Sequence, residues 1–267
     1  MAKRDTAATA ATSGNVKEKA CCGGLRTRGH VKEIGECPLI SVITVVFNGA
    51  EQLERTIQSV LGQTYPSVEF IVIDGASKDG TVDIIQKYGD RIDYWVSEED
   101  GGIFDAMNKG ISRATGAWVN FMNAGDTFVD GRVLENIDFG ALSEYALIYG
   151  NRVQGGIAAM PKAPAALEAG VIHANHQSMF FNAEVLKEEL RYEPRYKIYA
   201  DYELVNRIYL KFPEGLKYVN VSIADFEPGG VSSVVSAQKR KDKYRIVFRH
   251  YGVAGLFRAM WYRVFHR

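Results

Sequence analysis

The chain has 267 residues, 46% of them apolar and 24% charged, which allows one large α/β domain or two small ones. Lys plus Arg and Asp plus Glu balance at 32 each, so net charge gives no argument for a nucleic-acid partner. The N-terminus carries no apolar signal-peptide core, and the longest uncharged apolar run, 38–50, is too short to span a membrane. The three cysteines all lie before residue 38, in a spacing typical of neither a disulfide framework nor a metal site, which favours a reduced, cytoplasmic setting.

Residues 1–37 show little periodicity and predict a mobile tail, in which short ordered pieces are compatible with the sequence. The pattern changes at Pro38, where apolar runs of strand length begin to alternate with segments of helical spacing. This alternation predicts an α/β domain over 38–236 with a mostly parallel sheet and helices on both faces. The four predicted strands of its first half are 39–47, 68–73, 92–96 and 118–122.

Polar residues follow each of these strands. Phe47 and Asn48 come after the first, Asp74 ends the second, Asp100 follows the third and Asp126 the fourth. Because ligands of open α/β sheets bind beyond the carboxyl ends of the strands, we expect these residues to surround a binding site.

The second half alternates less clearly. It predicts strands at 146–149, 178–181 and 218–223 and helices at 183–190 and 201–210. A basic, amphipathic helical region follows over 237–267, in which Asp242 is the one acidic residue. Its apolar stripe with flanking arginines predicts peripheral contact with anionic lipid at the inner face of a plasma membrane. A helix packed on the domain or an oligomer contact would give the same pattern.

Several motifs resemble family 2 glycosyltransferases, which have the GT-A fold, a Rossmann-like sheet flanked by helices. The resemblance covers about residues 38–233. In the second half of this range, the motifs resemble those of a subset of the family that acts in bacterial surface-polysaccharide synthesis. It rests on Phe47-Asn48, SVLGQT at 59–64, Asp74, SKDGT at 77–81, DGGIFDAMNKGISRATGAWVNFMNAGD at 100–126, NHQSMFFN at 175–182, YKIYADYELVNRI at 196–208 and GGVSS at 229–233.

The resemblance implies a nucleoside site at the first two strand ends. Asp74 would accept hydrogen bonds from the base or ribose, Phe47 would stack on the base, and Asn48 would line the same site. The alternatives are an Asx turn for Asp74 and a core position for Phe47.

The loop and helix after the third strand would contact ribose or donor-sugar hydroxyls through Asp100, Gly101, Asp105 and Asn108, because glycines permit close backbone approach. Helix capping and plain surface charge are the alternatives there. Asn123, in the loop after the fourth strand, is a further expected donor contact.

Asp126 is the expected ligand of a divalent cation, Mg²⁺ or Mn²⁺, which would neutralise the departing diphosphate. The family usually has Asp-x-Asp, whereas this chain has Asn-Ala-Gly-Asp at 123–126, with a single carboxylate. Hard cations commonly use one or two protein carboxylates together with substrate phosphates, so one Asp is compatible with metal binding.

The resemblance places the catalytic base of an inverting transferase at Asp201, which would take the proton of the acceptor hydroxyl. An N-cap of the following helix is the alternative role, and Glu203 is the less suitable base. His176 and Gln177 are expected to line the donor or acceptor pocket, and a structural histidine with satisfied hydrogen bonds is the alternative for His176. His173 and His176 at i, i+3 would also suit a metal, without a third ligand to support it.

These expectations predict an inverting, metal-dependent transfer of a sugar from a nucleotide diphosphate, most simply UDP, to a glycan or lipid-linked acceptor. The loop at 229–233 would close over the diphosphate. One alternative is a non-catalytic nucleotide-sugar-binding or scaffold subunit of the same fold, which the single carboxylate favours. A nucleotidyltransferase is the other, although no Gly-rich, Lys/Arg-bearing phosphate loop follows the first strand.

Overall fold

The computed structural model describes residues 21–32, 35–226 and 237–265. Its first half is the predicted alternation of strands and helices. The elements are β1 (Cys21–Gly23), β2 (Ile40–Val46), α1 (Ala50–Leu61), β3 (Val68–Asp74), α2 (Thr81–Lys87), β4 (Tyr94–Ser97), α3 (Ile103–Arg113), β5 (Trp118–Phe121) and β6 (Thr127–Phe128). The four predicted strands and the three helices between them are thereby confirmed, with ends shifted by one or two residues.

The second half mixes short strands with 3₁₀ turns. Its elements are β7 (Leu147–Gln154), β8 (Ile157–Ala159), β9 (Met179–Asn182), α4 (Ala183–Leu186), α5 (Ala200–Lys211), β10 (Leu216–Asp225) and α6 (Ala237–Phe265). Short 3₁₀ helices occupy Pro164–Ala169, His176–Ser178 and Lys187–Glu189. The predicted strands and helices of this half are present, while β6 and β8 were not predicted because each is only two or three residues long.

All ten strands join one sheet in the order β1-β4-β3-β2-β5-β9-β7-β10-β6, with β8 beside β7. The pairs β4–β3, β3–β2 and β2–β5 are parallel, so their carboxyl ends lie at the same edge. From β5 to β9 the pairing turns antiparallel. The prediction of a mostly parallel sheet therefore holds for its central part. Beyond it, β9 is antiparallel to both of its neighbours, β7 and β10 pair parallel, and β6 pairs antiparallel with β10.

Both faces of the sheet are covered. On β2, Ile43 and Val45 face one apolar core and Ile40, Val42 and Val46 face the other. This two-sided burial explains why the strand reads as a continuous β-branched run. The first core contains residues of α3, α5 and α6, and the second contains residues of α1 and α2.

Residues 21–28 form a short ordered piece within the region predicted as a tail. Cys21–Gly23 pairs antiparallel with β4, and Arg26 Nη1 lies 2.9 Å from Glu69 Oε1, a carboxylate that is 1% exposed. Ser41 and Thr115 also donate to Glu69. The segment therefore covers the edge of the sheet and supplies a charge partner for a buried acid. The contact joins residues that are far apart in the sequence, and no periodic pattern predicts it.

The C-terminal region forms the long helix α6, with a kink at Gly252, whose φ of 61° and ψ of −153° are non-helical. One face packs on the domain through Ile246, Val247 and Ala259, which are fully buried. No helix in the described part of the chain is long and apolar enough to cross a membrane.

Candidate active site

The loops after β2 and β3 are held together by hydrogen bonds. Asn48 N donates to Ser77 Oγ at 2.7 Å, and Lys78 N donates to Asn48 Oδ1 at 2.9 Å. Asn48 adopts a φ of 49°, a left-handed conformation that Asn tolerates better than most residues. The structure thus places Asn48, expected as a ligand contact, at the junction of the two loops, where it shapes the edge of the site.

Asp74 is fully buried at the end of β3. Its Oδ2 accepts from Ser77 N at 3.0 Å and from Ser97 Oγ at 2.6 Å, and its Oδ1 accepts from Ser77 Oγ. The side chain thus binds the backbone N–H three residues on, as a capping residue does, and takes an additional donor from β4. The nucleoside contact expected of Asp74 stays a prediction, and the observed bonds match the alternative, structural role.

An exposed aromatic ring and a carboxylate meet at the ends of β2 and β3. Phe47 is 67% exposed, so it is not the core aromatic of the alternative interpretation. A Cβ at Gly75 would lie 3.2 Å from Phe47 Cδ2 and 2.7 Å from Asp100 Oδ2, so both side chains flank this glycine. The absence of a side chain at Gly75 is what lets the ring and the carboxylate approach each other.

The expected ligand residues around α3 contact each other in this structure. Asp100 Oδ1 accepts from Gly102 N at 2.7 Å, and Asp105 Oδ2 accepts from Gly101 N at 2.9 Å. Gly101 itself is exposed, so the loop remains open to a ligand. The two carboxylates order this turn, as the capping alternative predicts, and their sugar contacts stay predictions.

Both the nitrogen and the oxygen of the Asn108 side-chain amide form hydrogen bonds with protein backbone. Its Nδ2 donates to Tyr192 O at 2.9 Å, and Tyr192 N donates to its Oδ1 at 2.8 Å. Asn108 therefore fixes the position of Tyr192 across 84 residues of sequence. The substrate contact expected of Asn108 stays a prediction, while the observed role is to hold a wall of the site.

Asp126 lies in the loop after β5 and is 5% exposed. Its Oδ2 accepts from Gln177 Nε2 at 2.7 Å, so Gln177 contacts the predicted metal ligand. Asn123 Oδ1 and Gln177 Oε1 are buried without a hydrogen-bond partner. Among the described residues no group of three His, Cys, Asp or Glu side chains could hold a metal.

This donor set fits a hard cation that also binds substrate. One carboxylate and two unpartnered amide oxygens are the oxygen donors that Mg²⁺ and Mn²⁺ take, with substrate phosphates completing the coordination. The possible metal pair of His173 and His176 gains no third ligand among the described residues. His173 is 2% exposed, and neither of its ring nitrogens has a hydrogen-bond partner. Burial lowers the pKa of His173 to about 4.

His176 links the loop after β5 to Asp201 at the start of α5. Its Nδ1 lies 2.8 Å from Asp201 Oδ2, and its Nε2 lies 2.9 Å from Asn123 Nδ2. A carboxylate only accepts, so Nδ1 carries the proton and donates, and Nε2 accepts from the amide in the neutral tautomer. Burial opposes the charged imidazole, but the carboxylates of Asp201 and, further away, Asp126 outweigh it and raise the pKa of His176.

Asp201 lines a cavity of about 180 Å³ between the loop at 172–177 and helices α5 and α6. Its Oδ1 is buried without a partner, as is the hydroxyl of Tyr192. Burial, and then the charge of Asp201, raise the pKa of Tyr192 well above its usual value. The cavity also contacts Asn175, His176, Gln177, Tyr199 and Lys239.

The structure therefore brings together Asn123, Asp126, His176, Gln177 and Asp201, which are separated by up to 78 residues. Phe47, Gly75 and Asp100 form a second group, at the ends of β2 and β3. Two residues of the site were not predictable from the sequence: Tyr192 belongs to no motif, and the contact of Ser97 with Asp74 depends on strand register. The loop at 229–233 lies outside the described residues.

The fold and this site define a class of protein. The structure is similar to S. aureus TarS 1-349 in complex with UDP-GlcNAc, with a TM-score of 0.65 and 14% identity over 84% of this chain and 71% of that chain. It is also similar to glucosyl-3-phosphoglycerate synthase from Mycobacterium tuberculosis with Mn²⁺, UDP and glucosyl-3-phosphoglycerate, with a TM-score of 0.59 and 19% identity over 81% of each chain. The fold is that of the GT-A glycosyltransferases.

Residues 41–196 match the model of glycosyl transferase family 2. An uncharacterized glycosyltransferase of Mycobacterium tuberculosis is 34% identical over 209 residues, covering 73% of this chain and 78% of the relative. A putative teichuronic acid biosynthesis glycosyltransferase, TuaG of Bacillus subtilis, is 38% identical over 105 residues, which are 38% of this chain and 42% of that relative. The chain belongs to glycosyl transferase family 2, and the predicted family and fold are confirmed.

Proposed function

We propose that this glycosyltransferase moves a sugar from a nucleotide diphosphate, with UDP as the expected nucleotide, to a hydroxyl of a glycan or lipid-linked acceptor, with inversion at the anomeric carbon. One observation carries the proposal. The adjacent residues His176 and Gln177 join the expected base, Asp201, to the expected cation ligand, Asp126, through hydrogen bonds of 2.8 and 2.7 Å. The groups for acceptor activation and for the leaving diphosphate thus belong to one connected site.

The transfer follows from this arrangement. As the acceptor oxygen forms its bond to the anomeric carbon, its proton passes to the carboxylate of Asp201. The bond between the anomeric carbon and the diphosphate oxygen breaks, and its electron pair leaves with the nucleotide. Attack opposite the leaving group inverts the configuration. A bound divalent cation, held by Asp126 with the amide oxygens of Asn123 and Gln177, would supply a counter-charge to the diphosphate.

The nucleoside of the donor is proposed to bind the ring of Phe47 and the carboxylate of Asp100, which lie beside Gly75. The exposed ring offers a stacking surface, and the carboxylate offers an acceptor for base N–H or ribose hydroxyl groups. The two similar solved structures that contain UDP or UDP-GlcNAc support a uridine nucleotide as the first donor to test.

The acceptor side of the proposal includes a membrane surface. Seven large apolar side chains of α6 are exposed by 47–69%, in a helix whose single acid, Asp242, is fully buried. Basic residues flank these side chains, a combination that suits anionic lipid. The exposed residues are Phe248, Val253, Phe257, Met260, Trp261, Val264 and Phe265.

The test of catalysis is release of nucleoside diphosphate from UDP-glucose, UDP-galactose, UDP-GlcNAc, GDP-mannose and dTDP-rhamnose with Mn²⁺, with and without membrane extract. We expect extract-dependent release from one donor, its loss in Asp201→Ala, and its loss in Asp126→Ala or with chelator. Binding of a donor without release would instead identify a scaffold subunit. Release of pyrophosphate from a nucleoside triphosphate and a sugar phosphate would identify a nucleotidyltransferase.

A further inference from the structure

The two oxygens of the Asp201 carboxylate differ in how accessible they are to a substrate. Its side chain is 17% exposed, yet its Oδ1 is buried. The buried hydroxyl of Tyr192 is close enough for the charge of Asp201 to affect it. Oδ2 is therefore the oxygen left for an acceptor hydroxyl, and it is also the oxygen that His176 Nδ1 contacts at 2.8 Å.

The imidazole that binds Oδ2 is itself held on its other side. His176 is 14% exposed and lies in the short 3₁₀ helix His176–Ser178, and its Nε2 contacts Asn123 Nδ2 at 2.9 Å. Asn123 belongs to the loop that carries Asp126. The orientation of the Asp201 carboxylate is thus tied, through one ring, to the loop expected to hold the diphosphate.

We propose that His176 is a positioning residue for Asp201: its Nδ1–H occupies one lone pair of Oδ2 and fixes the side-chain rotamer, so that the remaining lone pair of Oδ2 takes the acceptor proton. This assignment rests on the proposed function of Asp201 as base. A carboxylate without this donor can rotate about its side-chain bonds, and a displacement of about 1 Å in a catalytic group is enough to lower the rate about 100-fold.

Two amide substitutions distinguish the two nitrogens of the ring. Asn places its amide nitrogen near the position of Nδ1, whereas the longer Gln places its amide group near Nε2, where the amide oxygen accepts from Asn123 Nδ2. His176→Asn therefore keeps a donor to Asp201, and His176→Gln keeps only an acceptor for Asn123. We expect His176→Gln and His176→Ala to lower kcat about 10- to 100-fold, with the donor KM unchanged, and His176→Asn to recover most of this loss.

The kinetic test uses the donor that the wild-type enzyme turns over, with membrane extract as the acceptor source, and compares melting temperatures to detect variants that do not fold. Equal kcat in the Asn and Gln variants, or higher activity in the Gln variant, would overturn the assignment. A rise in donor KM with kcat unchanged would show that His176 binds the donor instead.

A second measurement does not depend on turnover. In protein labelled with ¹⁵N in its histidine rings, the His176 signal, assigned by its disappearance in His176→Asn, is expected to show a proton on Nδ1. The Asp201→Ala variant should expose that proton to solvent exchange. A wild-type ring protonated on Nε2 alone contradicts the proposal. If the proton is found but no donor is turned over, the proposed function fails while the contact between His176 and Asp201 stands.

Discussion

Replacing Phe47 with Ala should separate ligand binding from stability. The ring is 67% exposed, so its removal should change the free energy of unfolding by no more than about 0.5 kcal/mol, as for most surface substitutions. A base stacked on an aromatic side chain contributes about 1–3 kcal/mol. Loss of this contact should therefore raise the Kd for UDP about 5- to 150-fold.

The measurement is isothermal titration of UDP in the presence of Mn²⁺, combined with thermal unfolding of each variant. Phe47→Tyr keeps the ring and should bind UDP within about twofold of wild type, since the stacking surface is preserved. Phe248→Ala, which removes a ring that is 55% exposed on α6, is the matched control and should leave the Kd unchanged. Wild-type affinity in Phe47→Ala would refute the assignment of the nucleoside site.

Three further changes test other parts of the structure. Arg26→Ala should lower the free energy of unfolding by about 1–3 kcal/mol in urea titrations, because the buried Glu69 loses its charged donor. Burial holds the pKa of His173 at about 4, below its unfolded value of about 6.5, so its contribution to stability is present above about pH 6.5 and is lost as the pH falls towards 4. His173→Phe should remove about 2 kcal/mol of this pH dependence, measured as the difference in unfolding free energy between pH 7.5 and pH 5. Replacing Phe257 and Trp261 with Glu should reduce co-sedimentation with vesicles of phosphatidylglycerol, because both side chains are exposed on the basic helix.

Two of these changes have a control variant. Arg132→Ala breaks a pair with Glu135 in which both side chains are about half exposed or more, and it should alter stability by less than about 1 kcal/mol. Equal effects of Arg26→Ala and Arg132→Ala would contradict a structural role for residues 21–28. Leu210→Glu, at a residue that is 47% exposed on α5, should leave vesicle binding unchanged. Undiminished vesicle binding by the variant with Glu at 257 and 261 would contradict the membrane proposal. If the unfolding free energy of His173→Phe depends on pH as in the wild type, groups other than His173 cause that dependence.

The central sheet was predictable because its signals are local. Each strand from β2 to β5 is a short apolar run with turn residues after it, and burial on both faces makes such a run continuous. The pattern also placed the carboxyl ends of four strands at one edge, where Phe47, Asp100 and Asp126 lie. The antiparallel part and the short edge strands were less predictable, because pairing between distant segments depends on register rather than on composition.

The roles of individual polar residues were much less predictable. Asn48, Asp74 and Asn108 stand at positions where a ligand contact was expected, and in the structure each binds backbone or hydroxyl groups of neighbouring loops. A carboxylate or amide after a strand has the same sequence signature whether it binds a ligand or closes a turn. Only the positions of its partners distinguish the two.

The sequence by itself determined the family, the α/β alternation and the edge of the sheet where the site lies, since these depend on periodicity and on short motifs. The tertiary structure alone decided that His176 contacts both Asp201 and Asn123, and that Gln177 contacts Asp126. These contacts span 25 to 53 residues. Hydrogen bonds form within about 3 Å and require particular directions, and no spacing along a chain specifies such a distance before the chain has folded.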